Sequence, residues 1–206
     1  TQELLVSCMR AGADEFLEYP VDAAELSKAL EGLAKRKGVI STRQGKVVAL
    51  FSAAGGVGCT TIACNLAASL ALEMDGSDTC ALVDMNTQFG TVALAMDVRE
   101  FSHTLADAVN DSDRMDENLL RGMMNEHQSG CFVLPAPLNV AELESFDPIK
   151  VRSVIQTARK VYRFVVLDMP HEIDEVSIVG LDEADEIFLV CDMVLPSIRN
   201  TIRVLE

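Results

Sequence analysis

From Lys46 onward, short apolar runs alternate with longer stretches of helical periodicity. The runs are VVALFS (47–52), CALVDM (80–85), CFVLPAP (131–137), YRFVVLDM (162–169) and EIFLVCDM (186–193). Each is almost wholly apolar before a polar end, the pattern of strands covered on both faces. Between and after them the spacing predicts helices over 58–74, 104–110, 115–125, 148–160 and 196–205. Strands alternating with helices in this way predict an α/β fold, a mostly parallel, doubly wound sheet built from βαβ units. Residues 1–35 read differently, as helix (2–11), strand (14–19, closed by Pro20) and a second helix with Asp22 as N-cap and Glu25 three positions on. The polar stretch RKGVISTRQG (36–45), with two glycines and no periodicity, is the expected linker to a domain at 46–206. The chain begins inside one helical pattern and ends inside another without a C-cap signal, so parts of larger folds are expected beyond both ends.

Composition narrows the class. The length of 206 residues fits one full domain plus a fragment, or two small domains, and a content of 49% hydrophobic and 24% charged residues excludes a disordered or collagen-like chain. No apolar run approaches the roughly 18 residues of a bilayer span, and Thr1–Arg10 has no basic-then-apolar leader pattern. A cytosolic chain without membrane insertion in this segment is expected. The formal charge of −15 disfavours nucleic acid as a partner, because phosphate-backbone affinity needs clustered Lys and Arg. Six scattered cysteines without a C-x-x-C pair read as reduced structural thiols, and His103, His127 and His171 are too dispersed to suggest ligands.

The sharpest chemical signal is Ala53-Ala54-Gly55-Gly56-Val57-Gly58-Cys59-Thr60-Thr61, directly after the first strand and directly before a helix. Glycines let the backbone curl so that successive N–H groups point inward, and a helix N-terminus adds partial positive charge. Together they make an anion cradle, with Thr60 placed to offer a hydroxyl to magnesium. Against G-x-x-x-x-G-K-[ST], the first glycine is Ala53 and the lysine is Cys59, so the cradle is kept and the point charge is lost. The plainer alternative is a tight strand-to-helix turn with no ligand. A charge-assisted hydrogen bond is worth about 1.5–3 kcal/mol, so binding should weaken by one to two powers of ten and survive. Hydrolysis should suffer more, since a cation stabilising charge that develops only in the transition state is worth about 10³–10⁵ in rate.

Asp84 and Asp168 each end an apolar run, where carboxylates of an open α/β sheet can hold magnesium directly or through water. Either alone reads as a turn or cap aspartate; the pair beside such a loop reads as part of a nucleotide site. Cys59, at a helix N-terminus, invites a second reading as a lowered-pKa reactive thiol, against that of a small residue tolerated in the loop. Met115, Met123 and Met124 read as packing residues.

These residues resemble a known family. GKVVALFSAAGGVGCTTIACNLAASLA, LVDMNTQFGTVALAMDV, HTLADAV, SGCFVLPAP, VVLDMP and ADEIFLVCDMVLPSIRN are similar to the CpaE/TadZ proteins of Flp (Tad) pilus assembly, within the MinD/ParA class of deviant Walker A ATPases. MRAGADEFLEYPVDAAELSKAL resembles the last third of a receiver domain, which this family often carries ahead of the ATPase. The resemblance implies that Gly55, Gly56, Val57, Gly58, Cys59, Thr60 and Thr61 wrap the phosphates of ATP. It also implies that Thr60, Asp84 and Asp168 serve Mg²⁺, Asp168 as the Walker B carboxylate. Ala54 stands where the class has its signature lysine, and Cys59 where it has the ordinary one. Asn86 replaces a second aspartate near the attacking water; it can orient water without carrying charge. In the receiver segment Tyr19 replaces the lysine that usually precedes the proline, which argues against phosphorelay. The expected protein is a nucleotide-binding localisation and assembly factor for the pilus with weak or no hydrolysis. Its expected partners are a second copy of itself and the pilus secretion machinery, with recruitment to the cell pole or inner membrane face. The alternatives are a cycling ATPase of the MinD/ParA kind, whose replacement cation comes from a partner or from elsewhere in the chain, with Arg199 and Arg203 as candidates that read more readily as a solvated helix face, and a nucleotide-independent scaffold.

Overall fold

The computed structural model describes Asp22, Glu25, Leu26 and residues 45–74, 78–139 and 146–206. The chain divides into two compact units, Thr1–Arg43 and Gln44–Glu206. Of the helix–strand–helix expected over 1–35, most lies outside the described residues, as does most of the linker; Glu25 and Leu26 are helical, and Leu26 N donates to Asp22 O at 3.0 Å.

Among the described residues, the second unit has six strands, β1 (Lys46–Phe51), β2 (Cys80–Asp84), β3 (Asn125–Glu126), β4 (Phe132–Leu134), β5 (Phe164–Asp168) and β6 (Glu186–Leu189). Their order is β3-β4-β2-β5-β1-β6, parallel throughout except for the β3–β4 hairpin. The helices are α1 (Cys59–Glu73), α2 (Val92–Ala95), α3 (Leu105–Asn110), α4 (Glu117–Met123), α5 (Pro148–Val161), α6 (Glu175–Glu183) and α7 (Leu195–Leu205). Strand periodicity sorts the core into two layers. Val48, Leu50, Cys80, Leu82 and Val166 pack with Ala63, Cys64, Ala67 and Ala71 of α1 and with Val92 of α2. Val47, Ala49, Phe51, Ala81, Val83, Val165 and Leu167 face the other way, against α3, α4, α5 and Val179 of α6. The sheet is therefore mostly parallel and covered on both faces at its centre, as the apolar runs imply.

Several expectations are corrected at the edges. β4 ends at Leu134 rather than 137 because Pro135 and Pro137 have no N–H for the ladder, and Pro135 O instead accepts from Leu105 N. Among the described residues β6 is paired to β1 at the end of the strand order, and Ile187 and Phe188 are about half exposed rather than covered on both faces. The helix expected over 115–125 is Glu117–Met123, because Asp116 accepts from Leu119 N as its N-cap and Asn125 is already in β3. Helices α2 and α6 were not expected. In α6, Val176, Ile178 and Val179 are β-branched and Gly180 interrupts any apolar stripe, although Asp174 and Ser177 form a capping box that marks its start. Met123 and Met124 are buried and Met115 packs against the same core. Among the described residues, no helix is long and apolar enough to cross a membrane.

Candidate functional site

The loop between β1 and α1 lies at the carboxyl end of the sheet centre, between the strand that delivers it and the helix that receives it. Gly56 and Gly58 have φ values of 80° and 93°, the left-handed region in which a side chain is strained, and Gly58 is the N-cap of α1. Gly58 has no side chain with which to cap this helix. Its first hydrogen bond runs from Ile62 N to Gly58 O at 3.0 Å, leaving the amides from Gly58 to Thr61 outside the helical ladder. A curled glycine segment thus leads into an uncapped helix N-terminus, the two elements of an anion cradle.

Ser52, 2% exposed, braces the entry: its Oγ donates to Ala54 O at 2.8 Å and accepts from Ala54 N at 3.1 Å. Ala53 O accepts from Asn200 Nδ2 of α7 at 3.3 Å. Neither contact was foreseen. A serine two residues before a turn is a local signal for the first; the second joins positions 147 residues apart and has none.

Asp84 and Asp168 are the last residues of β2 and β5 and are direct partners in the parallel register. Both side chains project to the α1 face of the sheet, where burial and Asp168 act on Cys59 and Cys64 of that helix. They are 1% and 2% exposed. Burial pushes Asp84 up to about 7, opposed by hydrogen bonds from Val92 and Asn86 amides and reinforced by the Asp168 charge. Burial pushes Asp168 up to about 6, opposed by the Thr60 hydroxyl.

The two carboxylates are engaged differently. Asp84 Oδ1 accepts from Asn86 N at 3.1 Å and Oδ2 from Val92 N at 3.0 Å, so this aspartate anchors both the following turn and α2. Gly90 closes over it: a Cβ there would lie 2.4 Å from Oδ2 and 2.2 Å from Ala136 Cβ. Asp168 Oδ1, by contrast, is buried without a hydrogen-bond partner. Asn86 Oδ1 accepts from Phe89 N at 3.2 Å, which occupies one face of its amide in the turn.

The reactive-thiol reading of Cys59 is overturned. Burial, with the negative charge of Asp168 added to it, pushes the thiol up to about 12. Arg199 and Arg203 are exposed on α7. The five described cysteines are free thiols; Cys8 lies outside the described residues.

The chain belongs to the AAA_31 family of AAA domains, whose pattern matches residues 45–200. Its mostly parallel sheet with helices on both faces is the fold of the MinD/ParA P-loop NTPases. It is similar to the ParA family ATPase from Chlorobium tepidum, with a TM-score of 0.71 and 29% identity over 78% of this chain and 66% of that one. Among curated proteins it is 23% identical over 158 residues to an uncharacterized ATP-binding protein of Methanocaldococcus jannaschii, covering 77% of this chain. It is 26% identical over 162 residues to the septum site-determining protein MinD of Thermotoga maritima, covering 78% of this chain. The chain spans 57% of the length of each of these two relatives.

Proposed function

We propose that this protein binds ATP with magnesium at the β1–α1 loop and hydrolyses it weakly or not at all, serving as a localisation and assembly factor in Flp (Tad) pilus biogenesis. The observation that carries the reading is the uncapped, glycine-curled entry to α1 lying beside a buried Asp168 oxygen that lacks a partner. The ATPase relatives and the ATP-binding relative support the choice of nucleotide. In this reading the amides of Gly55, Gly56, Val57, Gly58, Cys59, Thr60 and Thr61 take the phosphates. Thr60 and Asp168 fit a magnesium ion as hard oxygen donors, and Asp84, both of whose oxygens already accept amides, acts from behind them. Magnesium would neutralise phosphate charge that no nearby lysine covers, since residues 52–62 contain neither Lys nor Arg. The pilus assignment is supported by the ordered segments from GKVVALFS to VLPSIRN, and residues 1–35 are read with it as the end of a receiver-like domain. A homodimer and the pilus secretion machinery are the proposed partners, at the cell pole or inner membrane face.

Titration of a fluorescent ATP analogue, with and without magnesium, tests the reading. Magnesium-dependent saturation below millimolar concentration is expected; no saturation at millimolar nucleotide would reject it. Phosphate release well above that of a Thr60→Ala control would replace it with the cycling-ATPase reading.

A further inference from the structure

The peptide group joining Ala53 to Ala54 is held at both ends. Its carbonyl, Ala53 O, accepts from Asn200 Nδ2 at 3.3 Å, and its amide, Ala54 N, donates to Ser52 Oγ at 3.1 Å. The two contacts come from opposite ends of the domain's sequence: Ser52 directly follows β1, whereas Asn200 sits on α7. Helix α7 buries Ser197 and leaves Leu195, Ile202 and Leu205 more than half exposed, so core packing does not explain a half-buried asparagine at 200. Its donor function does. An aspartate of the same shape would set oxygen against the Ala53 carbonyl, and alanine would leave that carbonyl without this partner.

We propose that Asn200 is a positioning residue for the phosphate loop. By fixing the orientation of the 53–54 peptide it sets the direction in which the chain enters Gly55 and Gly56, and so where the loop amides point. Rotation of that peptide breaks the Asn200 and Ser52 contacts together and redirects every amide after it. Asn200 therefore prepares the cradle before any ligand arrives, which matters more in a loop without a lysine, where main-chain donors carry the binding. The ligand-binding half of this inference rests on the proposed nucleotide site; the bracing of the loop does not.

The test uses the full chain and the variants Asn200→Asp, Asn200→Ala and Ser52→Ala, alone and as the Ser52→Ala/Asn200→Asp pair. Amide hydrogen exchange at Ala54, whose N–H is held by Ser52 Oγ, is measured without nucleotide, a fluorescent ATP analogue is titrated with magnesium, and the melting temperature is recorded. For loss of one such hydrogen bond, exchange at Ala54 should quicken about tenfold and the analogue's Kd rise about tenfold. Tm should fall by about 3–6 °C, the worth of that one hydrogen bond, and no further. The pair should behave no worse than its more severe member, because both residues hold one peptide. Asn200→Ala gives the same reading if Asn200→Asp fails to fold. A wild-type exchange rate at Ala54 in the Asn200 variants, or acceleration spread evenly over the whole domain, would overturn the proposal. If the unaltered protein binds no analogue, the nucleotide reading fails, and the exchange rates alone decide whether Asn200 braces the loop.

Discussion

At the scale of single residues, the loop's glycines are not equivalent. Gly56 and Gly58 hold positive φ, whereas Gly55 has no such constraint and a Cβ on it would meet open space. Gly58→Ala and Gly56→Ala should each destabilise the chain by about 1 kcal/mol or more and weaken nucleotide binding, while Gly55→Ala should leave stability within about 0.5 kcal/mol. Urea unfolding curves separate the three. Cys59 offers a sharper contrast. A thiol held near 12 by burial and by Asp168 should resist iodoacetamide at pH 8 when the fold is intact and react readily once it is unfolded; fast alkylation of the native protein would contradict the geometry. Cys59→Lys places an ammonium group in the same field of negative charge. It should tighten binding of the ATP analogue by about ten- to a hundredfold, the worth of one charge-assisted hydrogen bond. No gain would mean that polyanion does not sit against this turn.

At the scale of elements, α1 is held close to the sheet by a stripe of small residues, Ala63, Cys64, Ala67 and Ala71. Ala67 is fully buried, so Ala67→Leu should overpack the interface, cost about 1–3 kcal/mol, and push the phosphate loop off the end of β1. Thermal unfolding together with analogue titration checks both effects. This strand–loop–helix unit was legible in the sequence because three local signals coincide there: an apolar run, a glycine cluster and a helical period. Asp84 and Asp168 were legible as strand ends, but not their adjacency. That adjacency follows from β5 lying between β1 and β2, an order set by crossover packing that no local pattern encodes. Helix α6 was missed because β-branched residues and Gly180 blur its periodicity, although its capping box was present in the sequence. The apolar run at 186–193 reads as a covered strand, yet Ile187 and Phe188 are about half exposed, since hydrophobicity reports what a strand can bury and not which neighbours it has. Asn200 was invisible for a similar reason, since it acts through a contact distant in sequence, and so in part was Gly90, which is crowded by Ala136 as well as by its neighbours Asp84 and Asn86.

At the scale of the whole molecule, the two buried carboxylates should govern how stability varies with pH. Their ordinary value is 3.8; in the fold Asp168 is pushed up to about 6 and Asp84 to about 7, burial being the largest cause for each. Between the ordinary and the folded values, the native protein holds protons that the unfolded chain has released. Stability must therefore fall as pH rises through this window: the contribution is fully present below about pH 4 and lost by about pH 7. For Asp168 alone the change is roughly 3 kcal/mol. The −15 formal charge acts in the same direction, since self-repulsion grows as carboxylates ionise, so the pH trend of the unaltered protein cannot by itself be assigned to the site. Asp168→Asn separates the two contributions. It leaves the remaining charges in place, removes the ionisation, and should flatten the decline between pH 5 and 7.5 by about 1.4 kcal/mol, the somewhat smaller half of the Asp168 share that falls in that window, making the variant more stable than the parent at pH 7.5. It should also abolish any stabilisation that magnesium gives in the presence of nucleotide, because the group that would bind the ion is gone. Urea titrations at pH 5, 6 and 7.5, run with and without magnesium and nucleotide, measure both effects together. A variant whose pH slope matches that of the parent would mean that Asp168 is ionised in the fold without penalty, and that its partnerless oxygen holds no unmet demand for a cation.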